Sequence, residues 1–187
     1  MLLSELLFIH ATGLCALALN TAALAHPCER ALRLQSGLAG VLWALNNLLL
    51  GAHTAAAMSL VSAGRTATSA VTLRATPTLR LAVFTAFAAL TLAVGLLTWH
   101  GWPATLIVAA SLLSTVAVFY LRARALRLAM LAVSLLWMVN AWQYDSWEQM
   151  LANLITAAAA LAGAWRSARP TADLPTRTAT SHPAAAA

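Results

Sequence analysis

The tetrapeptide Ala31-Leu32-Arg33-Leu34 returns as Ala125-Leu126-Arg127-Leu128, a shift of 94 residues that then holds without a gap. At the same shift Leu19 meets Leu113, Thr21 meets Thr115, Arg30 meets Arg124, Leu42-Trp43 meets Leu136-Trp137, Asn46 meets Asn140 and Leu60 meets Leu154. Leu and Ala coincide readily in a chain this apolar. Arg, Trp and Asn are rare within it, so their sharing one register points to a duplication.

Composition says what was duplicated. The 187 residues are 61% hydrophobic and 9% charged, with a mean hydropathy of +0.80, which rules out a water-soluble globule. Apolar runs bounded by charge, Pro or Gly fall at about 3–25, 34–50, 55–73, 79–98, 103–121, 128–144 and 148–165. None alternates with period two, and in hydrocarbon every backbone N–H and C=O needs an internal partner, so all seven are expected to be helices rather than barrel strands. The shift carries the first three runs onto the last three and leaves the fourth as a connector. Because equivalent runs are four apart, they enter the membrane in the same direction, which makes the repeats parallel. The expected fold is an all-α membrane protein with seven transmembrane helices, arranged as two parallel three-helix bundles (1–76 and 102–169) joined by a linker helix (77–101). The tail 170–187, with three prolines and an alanine run, is expected to be disordered.

The net charge of +6 comes from eleven arginines, no lysine and five carboxylates. Ten of the arginines flank the runs on one side; the opposite loops hold His53, Trp99-His100-Gly101-Trp102 and Asp145 to Glu148 without any arginine. Topology therefore explains the charge, and no nucleic acid is expected as a partner. The positive-inside rule puts the N-terminus outside and the C-terminus in the cytoplasm, with Trp99, Trp102 and Trp147 in the outer aromatic belt and Tyr120 and Trp165 near the inner one. Residues 1–8 contain Glu5 and no basic residue, so the first run reads as a retained span rather than a signal peptide. Cys15 and Cys28 read as inert thiols.

Several side chains stand out against this background. Gly37, Gly40, Trp43 and Asn46 or Asn47 recur every three or four residues on the second run, and Ser134, Trp137 and Asn140 repeat the stripe on the sixth. Such a stripe faces other helices: Trp and Asn near the bilayer middle can stack on and hydrogen-bond a solute, or they can fill space and bond across helices. Arg65 lies nine residues from Arg74, roughly 13 Å at a rise of 1.5 Å per residue. That depth is too great for easy snorkelling, and a charge there costs at least ~2.5 kcal/mol without a partner or a wet cavity. It can bind an anionic group of a substrate, or helix-end carbonyls and polar neighbours such as Asn20, Ser62 and Asn46. His10 and the pairs Asn20-Thr21 and Ser114-Thr115 can line the same path or bond between helices. His53 and His100 lack metal-ligand spacing and receive no chemistry. Glu5, Asp145 and Glu148 are placed near the outer surface and Glu29 in an inner loop, so no carboxylate is expected at mid-depth and ion coupling is poorly supported.

The stretch Glu29 to Gln35, the helix end Leu49-Leu50-Gly51, the pair Arg65-Thr66, and Ser114-Thr115 leading into an arginine loop and a Trp-containing helix resemble the bacterial inner-membrane YgjV family over roughly residues 1–169. More distantly the chain is similar to the SWEET, semiSWEET and PQ-loop group of three-helix-bundle transporters. That likeness implies a tryptophan on the second helix of each unit, matched by Trp43 and Trp137, and an asparagine on the third, matched by Asn153 alone, whose mate is Ser59. The Pro-Gln dipeptide of that group is missing, which speaks against sugar.

No nucleophile with a base, phosphate loop, HExxH or CxxC is present, so the chain is expected not to be an enzyme and to need no cofactor or metal. The expectation is a SWEET-like facilitator of a small polar or anionic solute, with Pro27 and Pro77 as helix-end hinges and Trp43, Asn46, Arg65, Trp137, Asn140 and Asn153 as substrate-binding residues. Its surroundings are the lipid bilayer, and homo-oligomers are compatible with it. The alternative is a non-transporting structural or regulatory membrane protein on the same scaffold.

Overall fold

The computed structural model describes residues 3–24, 29–72 and 75–166. All regular structure among them is helical: α1 (Leu3–Leu24), α2 (Glu29–Leu49), α3 (His53–Thr72), α4 (Pro77–Leu97), α5 (Trp102–Tyr120), α6 (Ala123–Gln143) and α7 (Trp147–Arg166). Each has 19 to 22 residues, about 30 Å at 1.5 Å per residue, the thickness of a bilayer's hydrocarbon core. Four of them, α1, α4, α5 and α6, are also apolar enough to cross a membrane. The other three have the length but carry Asn46, Asn47, Ser59, Ser62, Arg65, Gln149 and Asn153.

Helices α2 and α6 begin about five residues before their apolar runs, so Glu29, Arg30 and Arg33, and likewise Arg124 and Arg127, lie in opening helical turns rather than in loops. Arginine is a good helix former, and a charge that ends an apolar run does not end a helix. Pro27, Cys28, Arg74, Arg169, Arg177 and the tail 170–187 lie outside the described residues.

Neighbouring helices are α1 with α2, α2 with α3, α5 with α6 and α6 with α7. Two further contacts, α3 with α5 and α1 with α7, close the arrangement, and α4 lies against α3 and α5. The α2–α3 and α6–α7 joints fold alike. At the first, the N–H of Gly51 bonds to Leu48 O at 3.0 Å and that of Ala52 to Asn47 O at 2.8 Å; at the second, Asp145 bonds to Trp142 O at 3.3 Å and Ser146 to Ala141 O at 2.9 Å. Gly51 has φ 76° and Asp145 φ 51°. Both are helix ends closed by a left-handed residue, where Gly is easiest and Asp tolerated.

The packing is inverted relative to a soluble protein. Buried positions are mainly Ala, Ser, Thr and Asn, while Leu3, Leu7, Phe8, Leu96, Leu97 and Leu161 point outward. Small residues let helix backbones approach when lipid competes equally well for large apolar ones. Gly95 of α4 is one such case: a Cβ there would sit 2.6 Å from Val108 of α5. Beside it Ala52, Ala55, Met58 and Ile107 form a buried apolar cluster, against which Val94, Val108 and Trp137 pack. At the end of the bundle where the arginines lie, Arg80 stands over the Tyr120 ring at 5.9 Å, and Phe84 meets the same ring edge-on at 4.9 Å.

Candidate functional site

Arg65, only 1% exposed, joins α3 to α5. Its Nη1 donates to Ser111 O at 2.9 Å and Thr115 Oγ1 at 2.7 Å, and its Nη2 to Ser62 Oγ at 2.8 Å and Ser114 Oγ at 2.7 Å. Thr115 in turn donates to Ser111 O at 2.8 Å. All four acceptors are neutral. The guanidinium is thus solvated by hydroxyls and a helix carbonyl, with the Nε–H left unpartnered. Ser114-Thr115, which could line a path or bond between helices, do the latter; of the polar neighbours expected for Arg65, Ser62 is a partner and Asn20 and Asn46 are not.

A second polar group joins α1, α2 and α7. Asn46, fully buried, donates to Ile9 O at 2.8 Å and to Thr12 Oγ1 at 3.3 Å. Glu148 lies in the first turn of α7, at the α6–α7 joint, and is turned into the bundle. Its side chain is 1% exposed, with Oε1 2.5 Å from His10 Nδ1, whose own side chain is 37% exposed. Gly13 makes room: a Cβ there would come within 3.2 Å of both Asn46 and Glu148. The Trp147 ring lies 6.2 Å from the His10 ring. Asn46 Oδ1, Gln149 Oε1 and Ser146 Oγ are buried without partners. Nothing in the sequence ties His10 to Glu148, 138 residues away; the sole local signal is Gly13 one turn after His10.

The third feature is a cavity of about 420 Å³. Its wall is formed by the α2–α3 joint and the start of α3 (Gly51, His53, Thr54, Ala55), by the α4–α5 joint and α5 (His100, Pro103, Ala104, Ile107), and by the end of α6 (Asn140, Gln143, Tyr144). Asn140 is 5% exposed and its Nδ2 has no partner. His100 donates from Nδ1 to Thr98 O at 2.6 Å, and Thr54 Oγ1 donates to the same carbonyl. His53 and His100, set aside on spacing alone, are therefore brought together by the fold.

Of the six residues singled out from the sequence, Asn140 lines this cavity and Trp137 packs on the cluster containing its wall residues Ala55 and Ile107. Asn46 and Arg65 sit in separate helix contacts. Trp43 is half-buried, and its carbonyl accepts from Asn47 Nδ2 at 2.9 Å. Asn153, also half-buried, donates within α7 to Gln149 O at 2.9 Å. Among the described residues no group of three or more His, Cys, Asp or Glu could hold a metal ion.

Two outcomes follow from the polar contacts. Arg65→Lys keeps the charge but loses the fork that reaches four acceptors, so it is expected to destabilise the folded chain in detergent by on the order of 2 kcal/mol. Arg65→Met removes the charge and is expected to cost less. In a double-mutant cycle, His10→Ala leaves the Glu148 carboxylate buried alone, and its cost should shrink by on the order of 1 kcal/mol or more when Glu148→Leu is already present. Thermal unfolding of wild type and the five variants, the double included, measures both.

No curated protein and no solved structure gives a significant match to the chain. The model of the Imp-YgjV family, described as a bacterial inner membrane protein, matches residues 7–171. That match takes in all but the first few residues of the helical bundle, with its lipid-compatible exterior and polar interior, and the chain belongs to this family of bacterial inner membrane proteins.

Proposed function

We propose that this chain is a seven-span, SWEET-like facilitator that passes a small polar or anionic solute between two parallel three-helix halves. The observation that carries the reading is the cavity of about 420 Å³, because its wall is drawn from α3 on one side and from α5 and α6 on the other. That volume is in the range of small-molecule sites, and apolar walls with a few convergent polar groups are their usual make-up.

Three features support the two-half arrangement. Exchanging α1, α2 and α3 with α5, α6 and α7 maps the neighbour pattern onto itself, including α3 with α5 onto α7 with α1. The two joints share their backbone bonds at the spacing of 94 residues, with Gly51 answering to Asp145. Helix α4 lies outside the exchange, as a linker would. The arginine distribution favours an N-terminus outside and a C-terminus in the cytoplasm, which places the cavity at the outer face. Helices α2, α3 and α7 then span as inner members of the bundle, their polar groups turned toward other helices. The chain acts without enzymatic chemistry in this reading, and the bilayer is its main partner.

A specific observation favours the alternative of a non-transporting scaffold: both Nη groups of Arg65 and the Nδ2 of Asn46 donate to neutral helix neighbours in buried contacts. Uptake by proteoliposomes of a panel of sugars, amino acids and organic anions separates the two. The facilitator should admit at least one solute faster than empty vesicles do, and Asn140→Leu should slow that uptake about tenfold, the equivalent of one lost hydrogen bond. Equal leak in wild type and empty vesicles across the panel would leave the scaffold.

A further inference from the structure

We propose that His10 and Glu148 bind one exchangeable proton and that this proton holds α1 against α7, so that the contact closes in acid and opens in alkali. The latch stands on the geometry of the pair; its use in moving a solute rests on the facilitator reading.

A carboxylate withdrawn from water needs a positive charge beside it, or a proton. Glu148 is 1% exposed, and its bonded partner among the described residues is His10, with Nδ1 2.5 Å from Oε1. The helices around the pair offer no permanent cation. On α1 the other titratable side chains are Glu5 and Cys15, both exposed. Helix α2, packed against α1, brings Asn46 to Gly13, but the Asn46 Nδ2 is taken by Ile9 O and Thr12 Oγ1. The charged residues of α2, Glu29, Arg30 and Arg33, stand in its first turns, at the far end of the bundle. Arg166 closes α7 and Arg124 and Arg127 open α6, again at the far end. The α6–α7 joint adds Tyr144 and Asp145, both exposed. The compensating charge is therefore a proton, shared between the two side chains as imidazolium with carboxylate or as imidazole with carboxylic acid.

With that proton the pair is neutral overall. When the proton leaves for water, a single uncompensated negative charge stays behind in a buried place. A second proton, taken up in acid, costs less, because the positive charge then rests on the His10 ring, which is 37% exposed and lies beside Trp147. The same exposure is the way in and out: Glu148 is the second residue of α7, so the pair sits at the level of the joint, and the ring exchanges protons while the carboxylate stays covered.

The seam is shaped to part at this point. A Cβ on Gly13 would lie 3.2 Å from both Cβ and Cδ of Glu148, so the carboxyl group is seated into α1 rather than beside it. Farther along, α1 and α7 leave an apolar groove past Leu14, Leu17, Thr21 and Ile155. Swinging the start of α7 away from Gly13 lets water reach the carboxylate and relieves the charge that proton loss creates. The closed contact thus favours the protonated pair while the open one accepts either form, and by linkage a rise in pH favours opening. The contact between α3 and α5 has no such dependence near neutrality, since it joins an arginine to neutral acceptors.

The test is the distance between nitroxide labels at Leu7→Cys on α1 and Leu154→Cys on α7, both exposed positions. Pulsed electron paramagnetic resonance reads it on the full chain in nanodiscs, in a background lacking Cys15 and Cys28, from about pH 5 to about pH 9. A reversible lengthening of a few ångström with rising pH is expected. Glu148→Gln has no charge to relieve and should stay at the short distance throughout. His10→Gln leaves the proton to the carboxylate alone and should lower the midpoint of opening by at least about one pH unit, a tenfold loss of proton affinity. Thermal unfolding checks that each variant is folded. A distance that ignores pH in the folded wild type, an equal change in folded Glu148→Gln, or a midpoint that His10→Gln leaves in place overturns the proposal. Opening with pH but no vesicle uptake of any solute keeps the latch and removes the facilitator. Uptake by a chain whose α1–α7 distance never changes does the reverse.

Discussion

A guanidinium within an apolar bundle must be solvated by the protein itself, and that requirement organises the contact between α3 and α5. Arg65 has no carboxylate among its partners, so it collects Ser62 on its own helix and Ser111, Ser114 and Thr115 across the interface. The acceptors on α5 are small, which lets the two helices come close enough for the three bonds that cross between them at 2.7 to 2.9 Å. A charge that costs at least ~2.5 kcal/mol in hydrocarbon then becomes a specific link between helices that sequence places far apart.

The other contact that closes the bundle, between α1 and α7, is joined differently. There the link is His10 with Glu148, set near the α6–α7 joint and opened up by Gly13. The residue 94 positions after Arg65 is Ala159, and along that stretch α1 and α7 leave a shallow apolar groove past Leu14, Leu17, Thr21 and Ile155. In the two-half reading, equivalent contacts carry different polar links: one is cationic and deep, the other a carboxylate with an imidazole at the joint end.

The helical class and the helix positions were legible in the sequence because apolar runs interrupted by Arg, Pro and Gly leave few alternatives in a bilayer. The boundaries of α2 and α6 were not, since a run of hydropathy stops at the first charge and a helix does not. Arg65 was legible as an anomaly of depth and Ser62 as its neighbour, but not its union with Ser111, Ser114 and Thr115 of α5, which only the setting of α3 against α5 brings within reach. The joint-end position of Glu148 was legible, but its burial was not, since one residue into a helix after a polar joint reads as exposed. The fold turns it inward, toward a glycine on a helix at the other end of the sequence. Asn140 was found by its register with Asn46, yet the two have different fates, one lining a cavity and the other bonded to α1. His53 and His100 have no pattern between them in sequence, and only the meeting of two joints makes them neighbours of one cavity.

Polar groups inside this bundle divide into links buried between helices and a cavity at the joint end. Single cysteines in a background lacking Cys15 and Cys28, probed with a membrane-impermeant thiol reagent on right-side-out and inverted vesicles, test that division directly. A cysteine at Thr54 or Ala104 is expected to be labelled from the outer side only, and one at Ser62 or Ser114 from neither side. Labelling at Ser114, or labelling at Thr54 from the cytoplasmic side, would contradict it.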